Sequence, residues 1–370
     1  SRLPLLSVEA RAGAMAGWMS PLVADSTPID AADEAVVVNA AALPGPWFAA
    51  ALEGRAPALW LGDGRVAGAR LPLSLLRGGL GRAEDFETVL LGLALPALAV
   101  DAEFVTWPWD LLARNPGAIA EDLAGMAAGV KGSVHRLACL ESPERISVEE
   151  GAVVGPFAVL DASDGPIRIG RGARVGAHTH VRGPCVVGEG TQLLGGSVSA
   201  TTFGPECRVA GEVEACVWQG HGNKRHHGFV GHSLLGPWVN LGALTTTSDL
   251  KNNYGPVRVW VDGHEVDTGS PKVGSFVGAH VKTGIGTLLP TGASVGTAAN
   301  LFGGGRFAPK AVAPFAWWDG ASLAEHEIER CVATARIACS RRSRTLTPAA
   351  EAALRALHGA TAAERRASGH

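Results

Sequence analysis

The sequence is poor in what large aromatic cores and redox motifs require. One tyrosine and three methionines occur in 370 residues, and aromatic residues make up 6%. Six cysteines never form a C-x-x-C pair, so they read as free thiols rather than as a zinc or thioredoxin-like motif. Neither sign of charge dominates: 32 basic against 35 acidic residues leave a net charge of −3, which provides no electrostatic footprint for nucleic acid or an acidic membrane surface. The longest apolar run, Val89 to Val100, is too short to span a bilayer and contains Pro96. No basic segment followed by an apolar core opens the chain. These absences predict a cytoplasmic protein with a small-molecule partner, no nucleic acid and no membrane contact. Because Ser1 is not a methionine, an N-terminal piece is expected to be missing.

What is abundant is glycine, 49 residues, well above the usual share of about 7%. Glycine with few aromatics favours turn-rich β structure, and the length suits two domains.

Residues 1–140 carry no repeat and read as an α/β domain. Val36-Val37-Val38-Asn39 and Ala58-Leu59-Trp60-Leu61 have the form of buried strands, while Leu71 to Leu80 and Trp109 to Met126 read as helices, the latter interrupted or restarted at Asn115-Pro116. Three segments invite chemistry. Gly78-Gly79-Leu80-Gly81-Arg82 is either a phosphate cradle or a plain turn. Trp107-Pro108-Trp109-Asp110 is either a stacking platform or a packing staple with Asp110 near a helix start. The third, Arg2-Leu3-Pro4-Leu5, has meaning only by resemblance.

From Val148 aliphatic residues recur every sixth position: Val148, Val154 and Leu160, then Ile169, Val175, Val181, Val187 and Leu193. A period of six fits a triangular solenoid in which each hexapeptide gives one short strand and one corner. The expected parallel β-helix spans 145–305. Its period is lost between Leu193 and Val230, returns at Val230-Gly231, Leu235-Gly236 and Leu241-Gly242, and breaks again at Val257 to Asp267. There Asp262-Gly263 predicts a type I′ hairpin. Residues 306–370 read as a helical cap: Ser322-Leu323-Ala324-Glu325 resembles a capping box and Thr347-Pro348 a capped helix start. Arg341-Arg342-Ser343-Arg344 between the helices is a phosphate contact or a solvated turn.

Gly220 to Gly255 interrupts this pattern with four histidines and four asparagines. Histidine accepts protons near neutral pH, and His221, His226, His227 and His232 fall within twelve residues. Without an H-x-x-x-H helix pair or adjacent ligands, metal binding is disfavoured. Any one histidine alone reads as a loop residue. Asn240, Asn252 and Asn253 either fill solenoid corners or orient a sugar hydroxyl or amine. A general base beside amide donors is what acyl transfer from a thioester needs.

At this point the residues resemble a known family. His226, Phe229-Val230-Gly231, Asn240-Leu241-Gly242-Ala243 and Asn253-Tyr254 follow the order of the acetyltransferase half of the bifunctional acetyltransferase/uridylyltransferases, which are left-handed β-helix enzymes. The whole chain resembles GlmU-related sugar nucleotidyltransferases through Val38-Asn39, Pro108-Trp109-Asp110, Asn223-Lys224 and Leu250-Lys251-Asn252-Asn253-Tyr254. The resemblance implies a degenerate nucleotidyltransferase-like first domain, with Arg2-Leu3-Pro4-Leu5 as the tail of its nucleotide loop. It implies His226 as general base, Lys224, Phe229, Asn240, Asn253 and Tyr254 around a sugar or nucleotide sugar, and Gly278 and Ala279 near acetyl-CoA. A homotrimer is implied as well. Two positions depart from the pattern: Glu214 stands where a phosphate-gripping lysine is expected and Phe229 where a tyrosine is expected, which disfavours a sugar 1-phosphate as acceptor. The leading expectation is CoA-dependent acyl transfer to an amino sugar or nucleotide sugar. The alternatives are Mg²⁺-dependent sugar-1-phosphate nucleotidyl transfer and non-catalytic binding of sugar nucleotides.

Overall fold

The computed structural model describes residues 34–72, 74–75 and 86–367. Arg2-Leu3-Pro4-Leu5 and Gly78 to Arg82 lie outside them. The chain divides into two compact units, one ending at Asp110 and the other running from Leu111.

The first unit is a four-stranded sheet in the order β1-β3-β2-β4, built from β1 (Glu34–Val38), β2 (Ala58–Gly62), β3 (Arg65–Pro72) and β4 (Ala97–Ala99). Only the β2–β4 pair is parallel. Helices α1 (Pro46–Glu53) and α2 (Phe86–Gly92) belong to the same unit. Both expected strands form. Leu71 and Pro72 do not start a helix; they close β3, because Leu71 pairs with Ala35 and is fully buried. Trp107 and Trp109 stack on each other at 5.2 Å, and the Asp110 carboxylate accepts the Thr106 and Trp107 N–H groups, so this motif is the packing staple. Helix α3 (Pro108–Ala124) runs through Pro116 without a break. Asn115 at that point exchanges hydrogen bonds with Ala200 and Thr202.

The second unit is a parallel β-solenoid. The coils stack in register, as in Ile146↔Ile167↔Cys185 on one face and Val154↔Val175↔Leu193 on another. All eight aliphatic positions of the repeat point inward, none more than 2% exposed. The solenoid does not lapse where the period does. Arg174 to Gln192 is a coil of eighteen residues, Gln192 to Arg208 one of sixteen and Arg208 to Asn223 one of fifteen. Glycines at positive φ (Gly195, Gly196 and Gly211) let two long strands, Gln192–Ser199 and Arg208–Glu214, pass a corner with fewer residues. Larger residues fill the core there, with Phe203 and Trp218 buried at 5.9 Å from each other.

The hairpin forms as expected. Strands Arg258–Val261 and His264–Asp267 flank Asp262 and Gly263 at φ 50° and 79°, the type I′ signature. The coils continue past 305, through Ala311–Val312 to Ala316–Trp318. Ser322 to Glu325 is not a helix start: Leu323–Glu325 pairs antiparallel with that last strand and covers its edge, while Ser322 bonds back to Asp319. Helix α4 (Ile328–Ser340) begins later, and α5 (Pro348–Ala360) has the expected cap, Thr347 Oγ1 accepting Ala350 N–H at 3.1 Å. These helices cover a solenoid corner through Cys331, Ala335 and Leu354, packed with Ala298 and Phe315.

Trp218 occupies the narrowest part of the stack, and Gly222 leaves room for its ring. Trp218→Ala is expected to lower unfolding free energy by about 3–5 kcal/mol, read by urea denaturation; a loss under about 1 kcal/mol would mean that the ring is not packed as described.

Candidate functional site

The histidine-rich stretch forms one coil in which two corners bracket a short strand. Asn223–Lys224 lies on one face, residues 225–228 turn a corner, Phe229–Gly231 forms the next strand, and His232 turns the next corner toward Leu234–Leu235. Val230 points inward; Phe229 and Gly231 face out. At Gly231 the Phe229 ring and the Asp249 carboxylate fill the space that a side chain would need, so any larger residue would push them aside.

At the first corner His226 and His227 are exposed. Lys224 points the other way. Its side chain is 0% exposed and occupies an inward position paired with Val209, and its Nζ donates to the carbonyls of Ala210 (2.8 Å) and His226 (3.0 Å). Burial lowers its pKa from 10.5 to about 8. The structure therefore sets Lys224 in the wall, where it fastens the backbone of the His226 corner, and not on the surface facing a ligand.

The second corner carries a pair that spacing alone did not nominate. His232 Nδ1 lies 2.8 Å from Asp249 Oδ2, with the two side chains 20% and 14% exposed. The hydrogen bond from His232 is the main cause holding the Asp249 carboxyl below the usual range. Seventeen residues separate the two, the same interval as between Asn223 and Asn240, which are bridged between successive coils.

Asn240 faces outward on the side that precedes the His226 corner, and its Oδ1 accepts Asn223 Nδ2 at 2.8 Å. Asn253 and Tyr254 lie on the excursion between Asp249 and Val273, outside the coils. Tyr254 is 74% exposed, and Asn253 lines a cleft of about 450 Å³ with Lys251, Arg258, Glu265, Thr291 and Lys310. Gly278 and Ala279 are buried beside the third face, where Phe276–Val277 stacks on Leu234–Leu235, so they are not gathered with His226. His221 and His280 belong to another corner, stacked on either side of Trp238 at 4.2 and 6.3 Å. Burial pushes His280 down to about 3. Arg342 and Arg344 clasp Glu206 beside that corner, the first through the Glu206 carbonyl and the second through its carboxylate, so the basic run is a structural clasp. Among the described residues no helix is long and apolar enough to cross a membrane.

Parallel coils of this length with hexapeptide spacing define a hexapeptide-repeat β-helix protein. No family model matches the sequence. The chain is 35% identical over 79 residues to a bifunctional sugar-1-phosphate nucleotidylyltransferase/acetyltransferase of Sulfurisphaera tokodaii, covering 21% of this chain and 20% of that one. It is 27% identical over 190 residues to the bifunctional protein GlmU of Methanococcus aeolicus, covering 51% and 40%, and 27% identical over 212 residues to that of an Azoarcus species, covering 49% and 46%. By this similarity and the repeat, the chain resembles GlmU-related proteins and its second unit has the hexapeptide-repeat β-solenoid fold. It spans less than half the length of these curated relatives. Among solved structures, an Arabidopsis UDP-N-acetylglucosamine acyltransferase matches at 15% identity and TM-score 0.21 over 65% of this chain and 91% of its own. The Bacillus cereus N-acyltransferase AntD matches at 11% and 0.19 over 60% and 95%.

Lys224 gives a sign-definite test. Its folded pKa is depressed, so below pH 8 the buried charge costs stability in full, and the cost is relieved as pH rises from about 8 toward 10.5. The difference in unfolding midpoint between wild type and Lys224→Met should therefore move in favour of the wild type over that window, measured by thermal denaturation. A pH-independent difference would contradict the buried ammonium.

Proposed function

We propose that the protein transfers an acyl group, with acetyl the first donor to test, from acyl-CoA to the amine of an amino sugar or nucleotide sugar. The reaction would take place in the cytoplasm, on the solenoid face bracketed by His226 and His232. The observation that carries this reading is the Phe229–Gly231 strand: it presents an aromatic ring between two histidine corners, and Lys224 fastens the first of them from inside. His226, the base nominated by the sequence, remains in the proposal as an exposed contact to the acceptor at one end of this face. Asn240 borders that corner, and Asn253 and Tyr254 approach the acceptor from the excursion. Gly278 and Ala279 are proposed to lie along the acyl-CoA. Similarity to bifunctional acetyltransferases supports the reaction class. Glu214, paired with Gly231 one coil away, supports an acceptor without a phosphate at that spot, since a carboxylate repels one. Nucleotidyl transfer with Mg²⁺ remains the second function to assay.

The test follows CoA thiol release from acetyl-CoA with glucosamine, glucosamine 1-phosphate and a UDP-linked amino sugar. Turnover with at least one acceptor is expected, and His226→Ala should lower kcat/KM by about 30-fold or more. No thiol release with any of the three would sink the reading.

Leu244, Ile285, Phe302 and Phe307 are 59%, 72%, 49% and 64% exposed along the corner and face that continue from His227 and Phe229 into later coils. We propose that neighbouring copies cover this surface in a homotrimer. Light scattering should give three chains per particle, and Ile285→Glu with Phe307→Glu should give one; a monomeric wild type would contradict the assignment.

A further inference from the structure

Of the four histidines in the central stretch, His232 is the one whose ring is hydrogen-bonded to a carboxylate; His221 Nδ1 lies 3.9 Å from Glu206 Oε2, beyond hydrogen-bond reach. His226 makes no side-chain hydrogen bond among the described residues, whereas His232 Nδ1 sits 2.8 Å from Asp249 Oδ2. We propose that His232 is the proton acceptor in acyl transfer and Asp249 its positioning residue, an inference that rests on the acyl-transfer reading above.

Asp249 is held as a carboxylate and can only accept, so the neutral imidazole must carry its proton on Nδ1 and direct the Nε2 lone pair away from Asp249. That is the form a general base needs, and the carboxylate also stabilises the imidazolium that results. Placement agrees. His232 and Asp249 sit at the end of the Phe229–Gly231 strand, and the Phe229 ring and the Asp249 carboxylate both cover Gly231. The excursion is rooted on the pair: Val273 N–H donates to the Asp249 carbonyl and Gly274 N–H to the His232 carbonyl, each at 2.9 Å. A cleft lined by Lys251, Asn253 and Thr291 opens on that same excursion. His226 stands six positions earlier, at the corner on the other side of the Phe229–Gly231 strand, without a partner to orient its ring.

The step balances as follows. The neutral amine of the acceptor attacks the thioester carbonyl carbon, a C–N bond forms, and the amine proton passes to His232 Nε2. The tetrahedral adduct collapses, the C–S bond breaks, and the imidazolium returns the proton to the CoA thiolate. No oxidant or reductant takes part.

The variant that removes the base should keep the fold. His232 has φ 46°, and the corresponding corner positions one and two coils earlier are Ala215 and Ala200 at φ 50° and 48°, so alanine already tolerates this turn. With acetyl-CoA and whichever of the three acceptors turns over, His232→Ala is expected to lower kcat by about 100-fold or more while KM for acetyl-CoA stays within about twofold. Asp249→Asn should lower kcat by about 10-fold or more while KM for acetyl-CoA stays within about twofold, because the carboxylate that fixes the tautomer and orientation of the ring is gone. Turnover that survives His232→Ala, or a kcat in Asp249→Asn within about twofold of the wild type, overturns the inference while acyl transfer stands. Absence of turnover in the wild type overturns the acyl-transfer reading and this inference with it.

Discussion

Each coil of the solenoid must return to the same register, so that its peptide groups meet those of the coil before it. That single constraint fixes most of what the chain does. A residue facing inward has an inward neighbour one coil away, and the column they form must be filled without gaps. A corner must turn within a few residues, so positive φ recurs there, at glycines such as Gly211 and at larger residues such as His221, His232 and His280. Side chains about one coil apart in sequence are thereby stacked. Asn223 meets Asn240, His221 meets Trp238, and His232 meets Asp249, none of them by a local motif.

The sequence shows this constraint only where the coils are uniform. From Val148 to Leu193 the inward column is aliphatic at a fixed interval, and both the solenoid and its register are legible. After Leu193 the coils shorten to sixteen and fifteen residues, and the period dissolves although the stacking does not. The inward positions also change chemistry there. Lys224 stands in the column between Val209 and Leu241, and a lysine in such a stretch reads as a surface contact until its ammonium is seen to be spent on two carbonyls. Local signals fared according to whether their context was local. Asp262-Gly263 and Thr347-Pro348 need only their neighbours and behave as written; Ser322 to Glu325 has the letters of a capping box but lies beside a free strand edge, which it pairs with instead.

The candidate site was half legible for the same reason. The crowding of histidine and asparagine between Gly220 and Gly255 marks the coil, and resemblance gives an order of residues along it. Neither says which ring is held. Asp249 looked like an unremarkable residue in a Thr-Ser-Asp run, because its partner lies one coil back, and coil length in this part of the chain cannot be counted from a broken period. The same blindness separates Gly278 and Ala279, on the third face, from the histidine corners they follow in sequence.

The position of the long excursion follows from these facts. Asn240 is bridged to Lys282 rather than to a residue some seventeen positions on, so the chain leaves the solenoid for most of the intervening length. It leaves after Asp249 and returns at Val273, and the returning Val273 and Gly274 N–H groups bond to the carbonyls of Asp249 and His232. A corner that carries a histidine and a carboxylate cannot be roofed by an ordinary coil without burying both, and burial of an unrelieved charge is costly. Diverting the chain at this point leaves the pair partly exposed and builds a polar cleft from the diverted segment, with Lys310 tied to Glu265 across it. The interruption of the repeat and the chemistry of the corner are thus one structural event: the solenoid gives up its regular stacking at the place where a titratable pair has to remain within reach of solvent.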